Sequence, residues 1–462
     1  MVPLPKKKLS TIAAVATPAG TGGVCIVRVS GPRAHGIARR LCPRLPRQPR
    51  MRRAYFSLFE SPADGSMLDE GLVLLFRAPF SFTGEDVAEL HGHGGVAQSR
   101  ALIRAALAAG AEAAGPGAFC RRAVENGRMD IARAEGIAEL VAAETDAGLR
   151  AARSLMGGSL SRRVEEIAAA AEDLLSEWEA ALDFPDETAG LDEKVWHGRL
   201  TRIAVSAKQL ERTWGAGNRL RVGPRLVLAG PPNSGKSSLL NMLAGRERAI
   251  VDHAPGTTRD VLEVSVDVGG HSITLVDVAG VRDGGDRVEA LGVEKAMEAV
   301  TSADVVVGVV DASRAPTTMD EKAMELLANT SSPLVMVANK KDLGDKGLAR
   351  YRERLQASSW VRTSAKTGQG IDEMKKEIAS TVEQRPTGEA EVLVTLERHR
   401  EALCVAWDAL KEAEIALLDG GGVELAAEGL REARGALWGI IGKGAVSDDI
   451  LDKVFERFCI GK

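Results

Sequence analysis

No Asp or Glu precedes Glu60, while Lys6, Lys7, Lys8, Arg28, Arg33, Arg39, Arg40, Arg44, Arg47, Arg50, Arg52 and Arg53 all fall in that stretch. Acids elsewhere compensate. The formal net charge of the 462 residues is -4, which excludes a chain coated throughout in nucleic acid. Two readings of the acid-free segment stay open: an RNA-facing patch, or a solvated basic rim. An organelle transit peptide has the same composition, but patterned sequence beginning at Thr11 argues against one. Cysteine is scarce. The five are scattered without paired spacing, which excludes a disulfide framework and suits a reducing cytoplasm. No apolar run reaches membrane-spanning length. There is no low-complexity tract and no convincing internal repeat. His93 stands between glycines with no Cys or acidic neighbour at metal-ligand spacing, so it reads as a loop residue.

What is there is ordinary for a soluble globular protein: 45% hydrophobic and 27% charged residues, over a length that implies two to four domains. Three textures follow one another. From Leu9 to about Ala123 the chain is rich in Gly and Pro, with strand-like runs at Val24–Val29 and Leu72–Phe76, as in an α+β domain. From Met129 to Asp183 it turns helical, and Val164, Ile167, Ala171, Leu174, Trp178 and Leu182 fall on one face. The run Arg225–Gly230 opens an alternation in which strand-like runs recur at Ser272–Val276, Val305–Val310 and Leu334–Ala338. That pattern implies a doubly wound, mostly parallel sheet. After Pro386 the helical texture returns, with Leu396, Leu403, Leu410 and Leu417 at every seventh position. The expected organisation is multidomain α/β: residues 1–124, a first helical part at 125–220, a nucleotide domain at 221–384 inserted between helices, and a second helical part at 385–462. The two helical stretches are expected to pack as one discontinuous domain; a short leucine heptad is also a dimerisation seam in other chains.

Gly230-Pro231-Pro232-Asn233-Ser234-Gly235-Lys236-Ser237 fits a P-loop between a strand and a helix. Its glycines let backbone N–H groups close on phosphate oxygens, and the helix N-terminus adds the positive end of its dipole. Lys236 should reach the β- and γ-phosphates, and Ser237 should ligate magnesium. A P-loop alone does not separate GTP from ATP. Asp277-Val278-Ala279-Gly280 places an acid for the magnesium shell and an N–H for the γ-phosphate. Asn339-Lys340-Lys341-Asp342 places a carboxylate that accepts both the ring N–H and the exocyclic amine of guanine, a donor pair adenine lacks. Ser364-Ala365-Lys366 follows, where a loop facing guanine O6 belongs. Thr257-Thr258-Arg259-Asp260 occupies the first switch position, with Thr258 expected on magnesium. Each motif alone is weak; four in this order, each after a strand, are strong. Val281 follows Gly280 where many GTPases carry a water-orienting Gln, so another group must position water. Glu289 is one candidate, and a plain helix-start carboxylate is the other reading of it.

With these motifs in place, the chain resembles the MnmE (TrmE) tRNA-modification GTPase family along essentially its whole length. The resemblance is carried by Thr11-Ile12-Ala13-Ala14, Ala16-Thr17-Pro18, Arg28-Val29-Ser30-Gly31 and Ser81-Phe82-Thr83-Gly84-Glu85-Asp86. It continues through Gly92-His93-Gly94-Gly95, Asn126-Gly127-Arg128-Met129-Asp130, Asp183-Phe184-Pro185 and the final Cys459-Ile460-Gly461-Lys462. It implies an N-terminal folate-binding and dimerisation domain, a discontinuous helical domain and a G domain. It implies work with the flavoprotein MnmG (GidA), which carries FAD, in a heterotetramer or larger complex. Together they would modify carbon 5 of the tRNA wobble uridine with a one-carbon unit from 5-formyl- or methylene-tetrahydrofolate. The implied setting is a cytoplasmic homodimer with no membrane association.

Residue by residue, the resemblance places nucleotide contacts on Asn233, Ser234, Gly235, Lys236, Ser237 and Ser238, and on Asp252, His253, Ala254, Pro255, Gly256, Thr257 and Thr258. Further contacts fall on Asp277, Val278, Ala279 and Gly280, on Asn339, Lys340 and Asp342, and on Ser364, Ala365 and Lys366. Magnesium would sit on Ser237 and Thr258; potassium on Asn233, Asp252, Ala254 and Thr257. The water-activating glutamate falls on Glu289, and the folate contacts on Arg28, Glu89, Arg128 and Lys462. Arg28 and Glu89 also read as an ion pair beneath the folate rather than touching it. Cys459 matches a terminal cysteine of the family and also reads as apolar filler. Departures from the family pattern include Val278, Lys341, Pro255, Ala118, Arg121 and Arg128. Two alternatives come from other classes: a regulatory GTPase switch in ribosome or RNA assembly, and a folate-dependent methyltransferase with a regulatory G domain.

Overall fold

The computed structural model describes residues 10–143, 145–184, 193–244, 262–268, 271–277, 299–301, 303–355, 357, 359–383, 392–418, 422–444 and 448–462. The chain forms two compact units, one of Met1–Ala142, Arg153–Lys208 and Glu401–Lys462, the other of Ala143–Ala152 and Gln209–Arg400. Among the described residues no helix is long and apolar enough to cross a membrane.

The first unit opens with a six-stranded sheet: β1 (Ile12–Val15), β2 (Val24–Ser30), β3 (Tyr55–Glu60), β4 (Met67–Phe76), β5 (Val87–His93) and β6 (Glu112–Ala113). Its order is β3-β4-β5-β2-β1-β6. All pairs are antiparallel except β1 with β6. Strand side chains alternate faces, so β2 sends Cys25, Val27 and Val29 into a core shared with Ile37, Leu41 and Leu102 of the helices Ala34–Leu41 and Val96–Ala108. The opposite face of β2 is left with Ile26, Arg28 and Ser30, and there the polar chemistry begins.

The helical part of this unit pairs Ser159–Asp183 with Gly422–Ile441. Val164, Ile167, Ala171, Leu174 and Trp178 are buried as their spacing predicts. Leu182 is not: it is 43% exposed in the last turn. Glu172–Arg434 at 2.9 Å and Glu165–Lys443 at 2.7 Å border the contact between the two helices. The sevenfold leucine pattern is honoured only in part. Leu403 and Leu410 are fully buried, Leu396 precedes the helix Glu397–Leu418, and Leu417 is half-buried. The stripe runs instead through Ala406, Ala409, Ala413 and Ala416, the drift expected of a 3.6-residue period in a globular core.

The second unit carries β7 (Arg225–Ala229), β8 (Leu262–Val268), β9 (His271–Asp277), β10 (Val305–Asp311), β11 (Leu334–Asn339) and β12 (Ser359–Arg362), ordered β12-β11-β10-β7-β9-β8. Every pair is parallel except the β8–β9 hairpin at one edge. β10 is buried along its whole length, as a central parallel strand must be. Val305, Val307 and Val309 pack on one face with Leu239 and Ile378; Val306 and Val310 pack on the other with Met324 and Tyr351. Helices thus cover both faces, and the expected doubly wound domain is found. β8 and β12 add two strands that the apolar runs did not single out.

Candidate functional site

Parallel strands present their carboxyl ends along one edge, where open α/β sheets bind ligands. Here that edge gathers the residues after β7, β10, β11 and β12. After β7 the chain turns at Gly230 with φ +146°, where a Cβ would collide with the Val309 carbonyl oxygen. Asn233 is held in the left-handed region at φ 61°, and Gly235 has φ +99° beside the Asn339 side-chain amide. Only glycine fits at Gly230 and Gly235, because backbone conformation and neighbours both exclude a side chain. The helix Lys236–Ala244 follows at once, with Ser237 and Ser238 exposed in its first turn. Lys236 Nζ donates to the carbonyls of Gly230 and Pro231, both at 2.8 Å, which folds the ammonium over the loop. Ser234 Oγ is buried and has no hydrogen-bond partner among the described residues.

The base-facing end is built around Asn339, which is 1% exposed at the end of β11. Its Nδ2 donates to Ser234 O at 2.9 Å, and its Oδ1 accepts from Ala365 N–H at 3.0 Å and Thr363 Oγ1 at 3.3 Å. One amide therefore ties the P-loop to the Ser364–Lys366 loop. Lys340 adopts φ 62°, and its Nζ lies 2.8 Å from Asp311 Oδ2 at the end of β10. Burial alone would raise the Asp311 carboxyl, but Lys340 and Ser313 outweigh it and hold it below the usual carboxylate range. Asp342 lies in the short 3-10 turn Lys341–Leu343, exposed, with Ser364 Oγ donating to its Oδ1 at 2.6 Å. A carboxylate braced from behind and open in front suits a pair of N–H donors. Lys366 is exposed on the same loop. The expected contacts Asp252, His253, Ala254, Pro255, Gly256, Thr257, Thr258, Val278, Ala279, Gly280 and the candidate Glu289 lie outside the described residues, as does the side chain of Asp277.

A second polar site lies on the outer face of the N-terminal sheet. Arg28 and Glu89 are direct cross-strand neighbours of β2 and β5, and Arg28 Nε meets Glu89 Oε1 at 3.0 Å. The pair read from the sequence is therefore present. His91, two residues on along the same face, stands 3.3 Å from the other Glu89 oxygen. His91 first, then Arg28 against the opposing pull of burial, hold Glu89 below its ordinary pKa. Arg28 also donates to Gly461 O at 3.3 Å and lies 5.5 Å and 5.6 Å from the ring centroids of Phe82 and Phe119. The end of the chain is strapped here. Ile460 bridges Pro116, and Phe119 N–H donates to Lys462 O at 3.1 Å. Cys120 is packed beneath, its thiol pushed up to about 12 by burial despite the nearby charges of Lys462 and Arg28. Arg28, Glu89 and Lys462 are thus brought together. Arg128 is exposed after the helix Ala118–Glu125, its stem against Gly84, two residues from Phe82. Cys459 is exposed.

Three features here had escaped the sequence reading. Phe82 and Phe119, which back Arg28, are one: Phe82 stood only within a motif that carries the resemblance, and Phe119 was not singled out. Thr83 and Glu85 of the same motif turn inward, bonding Ser30 Oγ, each at 2.7 Å, while Arg122 reaches Glu85 at 2.9 Å. His93 is no loop residue: it ends β5, and its Nδ1 meets Asp69 Oδ1 at 2.7 Å. Asp69, on the neighbouring β4, raises the His93 pKa. No group of three or more His, Cys, Asp or Glu side chains among the described residues forms a metal site.

Comparison with known proteins covers nearly the whole chain. The family models described as "GTP-binding protein TrmE N-terminus" and "MnmE helical domain" match residues 11–128 and 131–459. The protein of Azoarcus sp. (strain BH72) named "tRNA modification GTPase MnmE" is 42% identical over 455 residues, 98% of each chain. Proteins of the same name from Chloroflexus aurantiacus and Myxococcus xanthus are 42% and 40% identical, each over 98% of this chain and 99% of their own. Among solved structures, the G domain of the T. maritima FeoB iron transporter aligns with 34% of this chain and 98% of its own, at 24% identity and a TM-score of 0.27.

Proposed function

The chain belongs to the MnmE tRNA-modification GTPase family, and on that premise we propose that it hydrolyses GTP to GDP and phosphate and uses that cycle, with the flavoprotein MnmG, to modify carbon 5 of the tRNA wobble uridine. The observation that carries the nucleotide half is the Asn339 amide joined to both the P-loop and the Ser364–Lys366 loop, with Asp342 braced by Ser364. Binding guanine then needs little rearrangement. Asp342 receives the two N–H donors, and the Ser364–Lys366 loop faces O6. Gly235 and the N-terminus of the helix Lys236–Ala244 offer backbone N–H groups to the phosphates. Lys236 would exchange its two carbonyl partners for phosphate oxygens, and Ser237 is the exposed hydroxyl for magnesium, which would neutralise developing charge. The potassium set of Asn233, Asp252, Ala254 and Thr257, and the water-positioning Glu289, are part of the same proposal. Asn233 offers a side-chain carbonyl from a backbone held at φ 61°.

For the uridine chemistry, the site of Arg28, Glu89 and Gly461 supports a flat heterocycle rich in N–H donors that carries an anionic tail. A guanidinium backed by the Phe82 and Phe119 rings faces it, and a carboxylate held below its ordinary pKa accepts N–H donors. A tetrahydrofolate derivative has that character and supplies the one-carbon unit. Lys462 and Arg128 would meet its charged tail. The homodimer, the partner bearing FAD and the cytoplasmic setting are proposed with it.

The test of the nucleotide half is competition titration. GTP and GDP should bind and ATP should not. Asp342→Asn should shift preference toward xanthosine nucleotides, with a loss for GTP of roughly tenfold to a hundredfold. Equal ATP and GTP affinities would refute it. For the tRNA half, affinity capture of the full chain should recover a flavoprotein; reconstituted modification without one would point to the methyltransferase alternative.

A further inference from the structure

We propose that the corner formed by Arg50, Arg52, Arg53, Arg77, Tyr55 and Phe80 is an RNA-docking surface that grips tRNA phosphates and stacks one unpaired base. This rests on the tRNA-acting reading above and names a surface for it.

The corner lies at the start of β3, an edge strand of the N-terminal sheet. Arg52 turns the chain with φ 59°, and its N–H donates to Leu75 O at 2.8 Å. A left-handed arginine costs on the order of 1 kcal/mol, so the turn is held by its surroundings. It delivers the Arg52 guanidinium to the loop after β4, where Nη2 donates to Phe80 O at 2.9 Å and the group lies 5.9 Å from the Phe80 ring centroid. Next to it Arg53 lies 5.8 Å from the Tyr55 ring centroid. The Tyr55 hydroxyl accepts from Arg50 N–H at 2.7 Å, which fixes the ring. Arg77 is exposed on the Phe80 loop, and Phe80 itself is 66% exposed.

Charge sets this corner apart. Eight arginines stand between Arg33 and Arg53 with no acid among them. Among the described residues none of the eight, nor Arg77, makes an ion pair, whereas Arg28, Arg122 and Arg199 each have a carboxylate. Asp86, the acid just beyond the Phe80 loop, is engaged by Ala78 N–H at 2.9 Å and faces His35 at 3.7 Å. The corner therefore carries four arginines outside any ion pair among the described residues, in a chain of net charge -4. Guanidiniums laid on aromatic rings are weakly hydrated and keep their edge donors for phosphate oxygens. The exposed Phe80 face separates RNA from an acidic peptide, since an unstacked base covers such a ring and a run of carboxylates does not.

The experiment is fluorescence anisotropy of labelled tRNA with the full chain across a potassium chloride series. The variants are the quadruple R50Q/R52Q/R53Q/R77Q, its Lys counterpart R50K/R52K/R53K/R77K, and F80A. The Gln variant should flatten the slope of log K against log salt by up to about 3, since each of four phosphate contacts contributes about 0.7–0.9. It should also weaken binding roughly tenfold or more near physiological salt. The Lys variant should keep the slope. F80A should weaken binding roughly fivefold or more at unchanged slope. GTP turnover should stay at the parent rate in all three, which controls for folding. An unchanged slope in the Gln variant overturns the proposal, as does competition by polyglutamate equal to that by single-stranded RNA. A parent chain that binds no tRNA at all overturns the underlying reading as well.

Discussion

Replacing Asn339 by Ala tests the site at its joint. The side chain is 1% exposed and makes three hydrogen bonds, to Ser234 O at 2.9 Å, from Ala365 N at 3.0 Å and from Thr363 Oγ1 at 3.3 Å. The Thr363 bond is long, and that hydroxyl can turn to another acceptor. The other two partners are fixed backbone groups. One net hydrogen bond is worth about 0.5–1.5 kcal/mol, and a buried group left without its partner costs about 1–3 kcal/mol. Together these give about 2–4 kcal/mol, roughly 30-fold to 1000-fold in GDP affinity if the whole effect falls on the bound state. Asn339→Asp makes the assignment sharper. It keeps an acceptor for Ala365 N–H but sets a carboxylate against Ser234 O, so it should be at least as damaging as Ala although it conserves shape. The assay is stopped-flow release of a fluorescent GDP, with thermal unfolding in parallel. The faster release should exceed any change that reduced stability explains. Release rates within about threefold of the parent for both variants, under 1 kcal/mol, would refute the claim that this amide couples the two loops.

Arg28→Ala should weaken binding of 5-formyltetrahydrofolate in isothermal titration while GTP turnover is unchanged; deletion of Gly461 and Lys462 should do the same, because Arg28 bonds Gly461 O. Glu289→Ala should lower kcat for GTP roughly 10²-fold or more with little change in GTP affinity, and turnover at constant ionic strength should be faster in potassium than in sodium chloride, an advantage that Asn233→Ala removes; equal rates in both salts would discard the ion site. Asp320→Asn should destabilise the second unit by about 2 kcal/mol at neutral pH. Burial would raise the Asp320 carboxyl, but Arg314 at 2.7 Å and Thr317 N–H at 2.8 Å hold it at about 2. A depressed acid contributes fully above its unfolded pKa near 4 and loses that contribution as pH falls toward 2, so urea midpoints of parent and variant should converge across that window.

The nucleotide site was legible because its constraints are local. Gly230 and Gly235 occupy backbone conformations that demand glycine, and the P-loop, the Asp277 motif and the Asn339 motif each follow a strand whose apolar run marks it; only the strand before Ser364 went unmarked. The Arg28–Glu89 site was legible only through resemblance. Arg28 and Glu89 stand 61 positions apart, and the antiparallel register of β2 with β5 makes them neighbours. Nothing in either strand alone specifies that register. The same holds for His93, whose acid, Asp69, arrives from β4. Leu182 and Leu396 show the limit of periodicity: the first is exposed in the last turn of its helix, and the second precedes the helix its spacing assigned it to.

The strap of Ile460, Gly461 and Lys462 has a consequence for how the protein is made. Arg28 is 433 residues upstream of the carbonyl it bonds. At roughly 5–20 residues per second, synthesis takes about 20–90 s between the two. Through that interval the N-terminal sheet can pair its own strands, since β1–β6 are all drawn from the first 113 residues. The edge at Pro116 and the N-terminus of the helix Ala118–Glu125 stay open until the strap emerges from the ribosome. That side of the Arg28 site is therefore assembled after the nucleotide domain has been made. A nascent chain that has already completed the nucleotide domain would still lack the Gly461 carbonyl that Arg28 bonds and the Lys462 carbonyl that caps Phe119 N–H.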